Sequence, residues 1–239
     1  MPKSRLALVL VAACALAHPV PAPAATILTA EQWRADLRFL AEELPKRHRN
    51  AFFKTPRADF ERAVAELDAK IPSLQDHEVM VGLARLVAML GDGHSRITLP
   101  VTPDVAYERA HTATPPPNDP RLAFHHLPVK IALFPEGLFI RAATPEHRDL
   151  IGSRVLEIGK EPAEAALQKV RAVTHADNEM GFQLFAPTRL TIPEILHALG
   201  ASEDPRRTRL ILEDPAGRRR EVVLERLDPG SAPVFVEAR

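Results

Sequence analysis

LARLVAMLGDGHSRITLP, residues 83–100, begins as a helix and ends as something else. Leu83, Leu86 and Leu90 follow Val79 at the i, i+4, i+7, i+11 spacing that lines one helix face. Gly91 stops the pattern, Asp92, Gly93, His94 and Ser95 make a polar turn, and a short β-prone segment follows. Two roles are open to His94. Imidazole titrates near neutrality and can take a hydroxyl proton as a general base. Alternatively, Asp92 and His94 tie the helix end to the next segment, Gly91 and Gly93 supply positive φ, and the imidazole sits well at the negative end of the dipole.

Working upstream, the same spacing occurs twice more, in Trp33, Leu37, Leu40 and Leu44 and in Phe60, Val64, Leu67 and Ile71. Start signals accompany the stripes: Thr29 with Gln32 as a capping box, Thr55 before Pro56, and Ser73 with Asp76. Stops are expected at Pro45, Pro72 and Gly91. Three such stripes predict a three-helix bundle within residues 27–111.

Ahead of the bundle, Lys3 and Arg5 precede the apolar run 6–17, and small residues follow at Ala22, Ala24 and Ala25. That anatomy predicts a signal peptide over residues 1–24 and export to the bacterial periplasm or the extracellular space. The apolar run is too short to span a bilayer, so no integral membrane span is expected. Cys14, the single cysteine, sits in VAAC, which resembles a lipoprotein box; the alternative reading is a lipid anchor there.

Downstream, TATPPPNDP (residues 112–120) carries four prolines and predicts an extended linker at a domain boundary. Beyond it the period becomes that of strands. VKIALF and LFIRAA flank a tight PEG turn, RVLEI forms a third strand, and TRLILE and REVVLE flank DPAG as a hairpin. Two helices are expected among them, one with Ala163, Ala166, Leu167 and Val170 on one face and one at PEILHAL, closed by Gly200. HADNE (residues 175–179) reads as a solvated polar loop. The whole is an α+β chain: a helical domain to residue 111, then a small β-sheet module over 121–228 and a tail over 229–239.

Composition narrows the function. The 239 residues are 46% hydrophobic and carry 31 basic against 31 acidic side chains, so a real core is expected and no global field favours nucleic acid. Aromatics at 5% leave little for base stacking. No metal or cofactor is expected: neither His125 with His126 nor Asp92 with His94 has zinc-ligand spacing.

LARLVAMLGDGHSRI resembles the end of the helical N-terminal region in tail-specific, C-terminal-processing serine peptidases and their tricorn-core relatives. The later stretch LPVKIALFPEGLFIRAATPEHRDLIGSRVLEIGKEPAEAAL is similar to their PDZ-like domain. By resemblance to tricorn-type members, His94 stands at the general-base position for a serine carried by a downstream α/β domain. Other members of the family instead use a serine–lysine dyad, both residues in that domain. The resemblance also implies a peptide groove in the PDZ-like module at Leu127, Val129 and Ile131, with HHLP (residues 125–128) as the carboxylate cradle. Pro128 has no amide hydrogen to offer such a cradle.

No serine of the chain is well placed for attack. Ser95 adjoins His94, but neighbours in an extended segment point to opposite faces. The expectation is therefore a non-catalytic, peptide- or protein-binding regulatory half of such a peptidase, lacking the nucleophile domain. Its partners would be peptide C-termini or a separately encoded catalytic half. The alternative is a serine endopeptidase truncated or frameshifted before its catalytic domain, with His94 as a vestigial base.

Overall fold

The computed structural model describes residues 27–101, 122–228 and 234–237. The expected signal peptide 1–24 with Cys14, the linker 112–120 and most of the tail 229–239 lie outside them. Among the described residues no helix is long and apolar enough to cross a membrane.

The three stripes become α1 (Ala30–Arg47), α2 (Arg57–Lys70) and α3 (Asp76–Ala88). Trp33, Leu37, Phe60, Leu67, Ile71, Val79, Leu83, Leu86 and Leu90 form one buried cluster, because each stripe turns inward against the other two. The capping box at Thr29 and Gln32 is present. α2 ends at Lys70, just before Pro72 as expected, but several other termini differ. α1 runs through Pro45, which costs little in a last turn where His48 N–H still reaches the Leu44 carbonyl at 3.0 Å. Thr55 does not cap α2; its hydroxyl donates to the Met89 carbonyl instead, fastening the helix pair. The box that opens α3 is Gln75 with Glu78, not Ser73 with Asp76. Ser73 turns back to the Lys70 carbonyl at 2.8 Å. Asp76 is buried and accepts from Trp33 Nε1 at 2.6 Å and from the Ile27 amide at 2.5 Å.

The second part is an open antiparallel sheet built from β1 (Val129–Phe134), β2 (Gly137–Ala143), β3 (Arg154–Ile158), β4 (Glu161–Pro162), β5 (Arg207–Glu213), β6 (Arg219–Glu225) and β7 (Val236–Glu237). The order is β1-β2-β3-β5-β6, with β4 added on β3 and β7 on β2. β1 and β2 pair from Val129 opposite Ala143 to Phe134 opposite Gly137, and β5 and β6 from Arg207 opposite Glu225 to Glu213 opposite Arg219. The β-prone segment after His94 forms no strand; Val101 makes only an isolated bridge to Phe124.

Among the described residues the sheet module carries three α-helices, not the two expected: α4 (Ala163–Val170), α5 (Glu179–Arg189) and α6 (Pro193–Ala198). α5 escaped the sequence reading because Met180, Leu184 and Phe185 are exposed while Phe182 and Ala186 face the core, so apolar residues surround the axis and blur the period. Its start signal was legible: the Asn178 side chain accepts from Gly181 N–H at 3.0 Å.

The sheet and its helices enclose a second cluster that runs from Phe124 to Leu224 and takes in Val81 of α3. Leu122 packs on the first cluster and Phe124 lies in the second, so the cores change over between them. α3 is the wall both share. Val79, Leu83 and Leu86 face the helical core, Val81 faces the sheet core, and α3 packs along α6.

Candidate functional site

The turn that leaves α3 is held from three directions. Gly91 adopts φ +64°, a conformation with little cost only for glycine, and closes the helix as expected. Lys54 Nζ donates to the Gly91 carbonyl and, at 3.2 Å, to the Asp177 carbonyl. A cation on the last carbonyls of a helix both satisfies them and complements the dipole. Gly93 does not have positive φ. Its requirement is space: a Cβ there would stand 2.5 Å from Asp177 Oδ2, whose partner oxygen accepts from the Gly93 amide at 2.8 Å.

Asp92 organises the turn itself. Its Oδ1 accepts from His94 N–H at 2.9 Å, and its Oδ2 takes the Ser95 hydroxyl at 2.7 Å and lies 3.1 Å from His48 Nε2. The His94 amide, then the Ser95 hydroxyl, and to a lesser degree His48, hold its carboxyl down at about 2. An aspartate that bonds the backbone two residues on is the Asx-turn device. Asp92 therefore ties the helix end as expected, while His94 contributes only its amide. The His94 ring is exposed and has no hydrogen-bond partner among the described residues. Ser95 directs its hydroxyl at Asp92 rather than at that ring.

HADNE runs as a loop into α5 with Asp177, Asn178 and Glu179 exposed, as expected, but its polar groups are engaged. Asp177 grips Gly93, and Asn178 caps α5. His175 is half-buried, stacked on Phe185 with ring centroids 5.1 Å apart, and its Nδ1 accepts from Arg189 Nη2 at 3.1 Å. Burial, then the Arg189 and Arg96 cations, push its ring down to about 4. Burial and Arg96 likewise lower Arg189 to about 10. Sequence reasoning missed Lys54, His48 and Asp177, since each meets the turn across 37 to 84 residues of chain.

Leu127, Val129 and Ile131, read as a peptide groove, are 0%, 1% and 7% exposed, and their side chains belong to the sheet core. Two amides of the HHLP cradle are engaged internally: Leu127 N–H with the Thr191 carbonyl at 2.7 Å, and His125 N–H with Glu194 Oε2 at 3.2 Å. His125 and His126 are buried. His125 Nδ1 lies 2.7 Å from Glu194 Oε1, which also takes Arg226 Nη1, and His126 Nδ1 lies 3.0 Å from Thr191 Oγ1. No metal-holding cluster of His, Cys, Asp or Glu occurs among the described residues.

Exposed apolar side chains gather on α5, which packs against β1, the end strand of the sheet among the described residues. Met180 and Leu184 on α5 are 74% and 70% exposed, and Phe134 ends β1 in an exposed position.

The molecule is thus an α+β protein whose helical layer presents an exposed histidine on a turn gripped by the adjoining sheet module. Among solved structures it is similar to mature CPAF, a chlamydial tail-specific-protease-like serine protease, with TM-score 0.52 and 17% identity over 82% of this chain and 34% of that one. It is similar also to mature CPAF complexed with lactacystin, with TM-score 0.53 and 16% identity over 82% of this chain and 35% of that one. The likeness is one of fold, and this chain spans about a third of the length of those proteins. No protein-family model matches the chain, and no curated protein matches it by sequence.

Proposed function

We propose that these residues are the peptide-binding, regulatory portion of a tail-specific-protease-like serine peptidase, with the sheet module acting as its PDZ-like domain and no catalysis of their own. The observation that carries this reading is the exposed His94 ring, unpartnered among the described residues, at the end of a helical layer whose fold is shared with CPAF. Among the described residues no hydroxyl bonds that ring, since Ser95 is spent on Asp92, and a base without a hydroxyl in reach cannot generate a nucleophile. The binding half of the reading rests on the β1 edge beside α5, where an extended peptide adds as a strand and Met180 and Leu184 offer apolar contact. Backbone pairing there does not need the buried side chains of Leu127, Val129 and Ile131. The charged start and apolar run at residues 3–17 support an exported protein.

Calorimetric titration with peptides bearing free C-termini, and with the same peptides amidated, tests the binding role. Binding of the free-carboxylate series without hydrolysis is expected, and silence across both series overturns it. The second reading, a serine endopeptidase in which His94 serves a serine from outside these residues, is favoured by the same exposed ring. Hydrolysis of an unstructured peptide that disappears on His94→Ala would establish it. That substitution should leave stability within about 0.5 kcal/mol, as for exposed side chains without partners.

A further inference from the structure

α3 and α6 meet through two imidazoles. His77, in the first turn of α3, and His197, near the end of α6, place Nε2 and Nδ1 at 2.9 Å, with ring centroids 5.1 Å apart. They are 120 residues apart in sequence and join the helical layer to the sheet module.

We propose that His77 and His197 form an acid-sensitive clasp between the two cores, closed while at most one ring is charged and opened when both are. The facing nitrogens share one hydrogen. One ring can take a proton and still donate to the lone pair of the other. With both rings charged, each facing nitrogen carries a hydrogen, the bond is lost, and two like charges confront each other in a half-buried joint.

The surrounding groups set where this happens. From α3, Asp76 is engaged by Trp33 and Ile27, and Glu78 accepts from the Gln75 amide at 2.8 Å while its other oxygen lies 3.9 Å from His197 Nδ1. From α6, Glu194 is engaged by His125, which precedes β1, and by Arg226, which follows β6. Arg171, in the turn that packs on α3, is turned to Glu179. The three carboxylates favour a charged ring, but each is already committed. Burial, then the His197 charge, outweigh them and push His77 down to about 4 from its ordinary 6.5. A lowered histidine contributes stability that is whole above 6.5 and is lost as pH falls toward 4. Acid therefore releases the start of α3 from α6.

Amide hydrogen exchange of the full chain at pH 7.5 and pH 5 tests this, corrected for intrinsic rates. In the wild type, opening of α3 and α6 amides should rise roughly 10- to 30-fold. In His77→Gln, which keeps a neutral polar group at the joint, the rise should shrink to the small share left by His175, and in His197→Asn it should be intermediate, since the burial of His77 remains. Unchanged wild-type opening, or an equal rise in a folded variant, overturns the proposal. An NMR titration of the wild-type His77 ring decides it without any variant: displacement well below the ordinary value supports the clasp, and titration at the ordinary value overturns it.

Discussion

The two ends of α3 are fastened to the rest of the molecule by opposite means. At the start, Asp76 and His77 are buried or half-buried and meet Trp33 and His197. At the finish, Gly91, Gly93 and Asp92 lie nearer solvent and are held by Lys54, Asp177 and the turn's own amides. The first fastening draws strength from a low-dielectric setting, where a lost partner or an added charge is expensive. The second is a set of solvent-screened hydrogen bonds whose value is geometric: they fix where the His94 backbone sits and leave its ring open. Different pH ranges should therefore break them. His77 gives way between 6.5 and about 4, whereas Asp92 keeps its turn until pH falls from 3.8 toward about 2. A carboxylate lowered in the folded state contributes stability above its ordinary value and loses it as acid protonates it.

The heaviest blow should come at the buried end. Asp76→Ala leaves the Trp33 indole N–H without its acceptor and removes the Ile27 contact. The expected cost is roughly 3–5 kcal/mol by urea unfolding. Lowering pH from 7.5 to about 4 should remove about 3 kcal/mol through His77. The measurement is a series of urea midpoints against pH, and the slope should flatten in His77→Gln. His175 pulls in the same direction but stands more open, so its share is smaller.

At the open end the effects shrink. Gly93→Ala drives a methyl group against the Asp177 carboxylate and should cost about 1 kcal/mol by thermal unfolding. Asp177→Ala removes an exposed acceptor and should cost less than about 1 kcal/mol. Adding Gly93→Ala to Asp177→Ala should then be nearly free, and that non-additivity is the signature of direct contact. If the open-end variants proved costlier than Asp76→Ala, the contrast between the two fastenings would be wrong.

Local patterns made much of this architecture legible. The helical stripes, the Thr29 capping box, the hairpins around PEG and DPAG and the helix stop at Gly91 rest on neighbours within a few residues, and periodicity reports those directly. α5 was lost because its exposed Met180, Leu184 and Phe185 make it apolar on both faces. HHLP read as an accessible loop because a sequence does not state that Thr191 and Glu194 already occupy its amides.

The three helical stripes, the α+β class and the polar turn at His94 were therefore fixed by spacing and turn chemistry alone, since short-range sterics and burial periodicity act along the chain. Tertiary structure decided the rest: that Asp177 grips the turn, that α3 serves two cores, and that His77 finds His197. Those contacts join residues 84 and 120 positions apart. Such pairs are selected by the packing of whole elements, and no local pattern carries their distance.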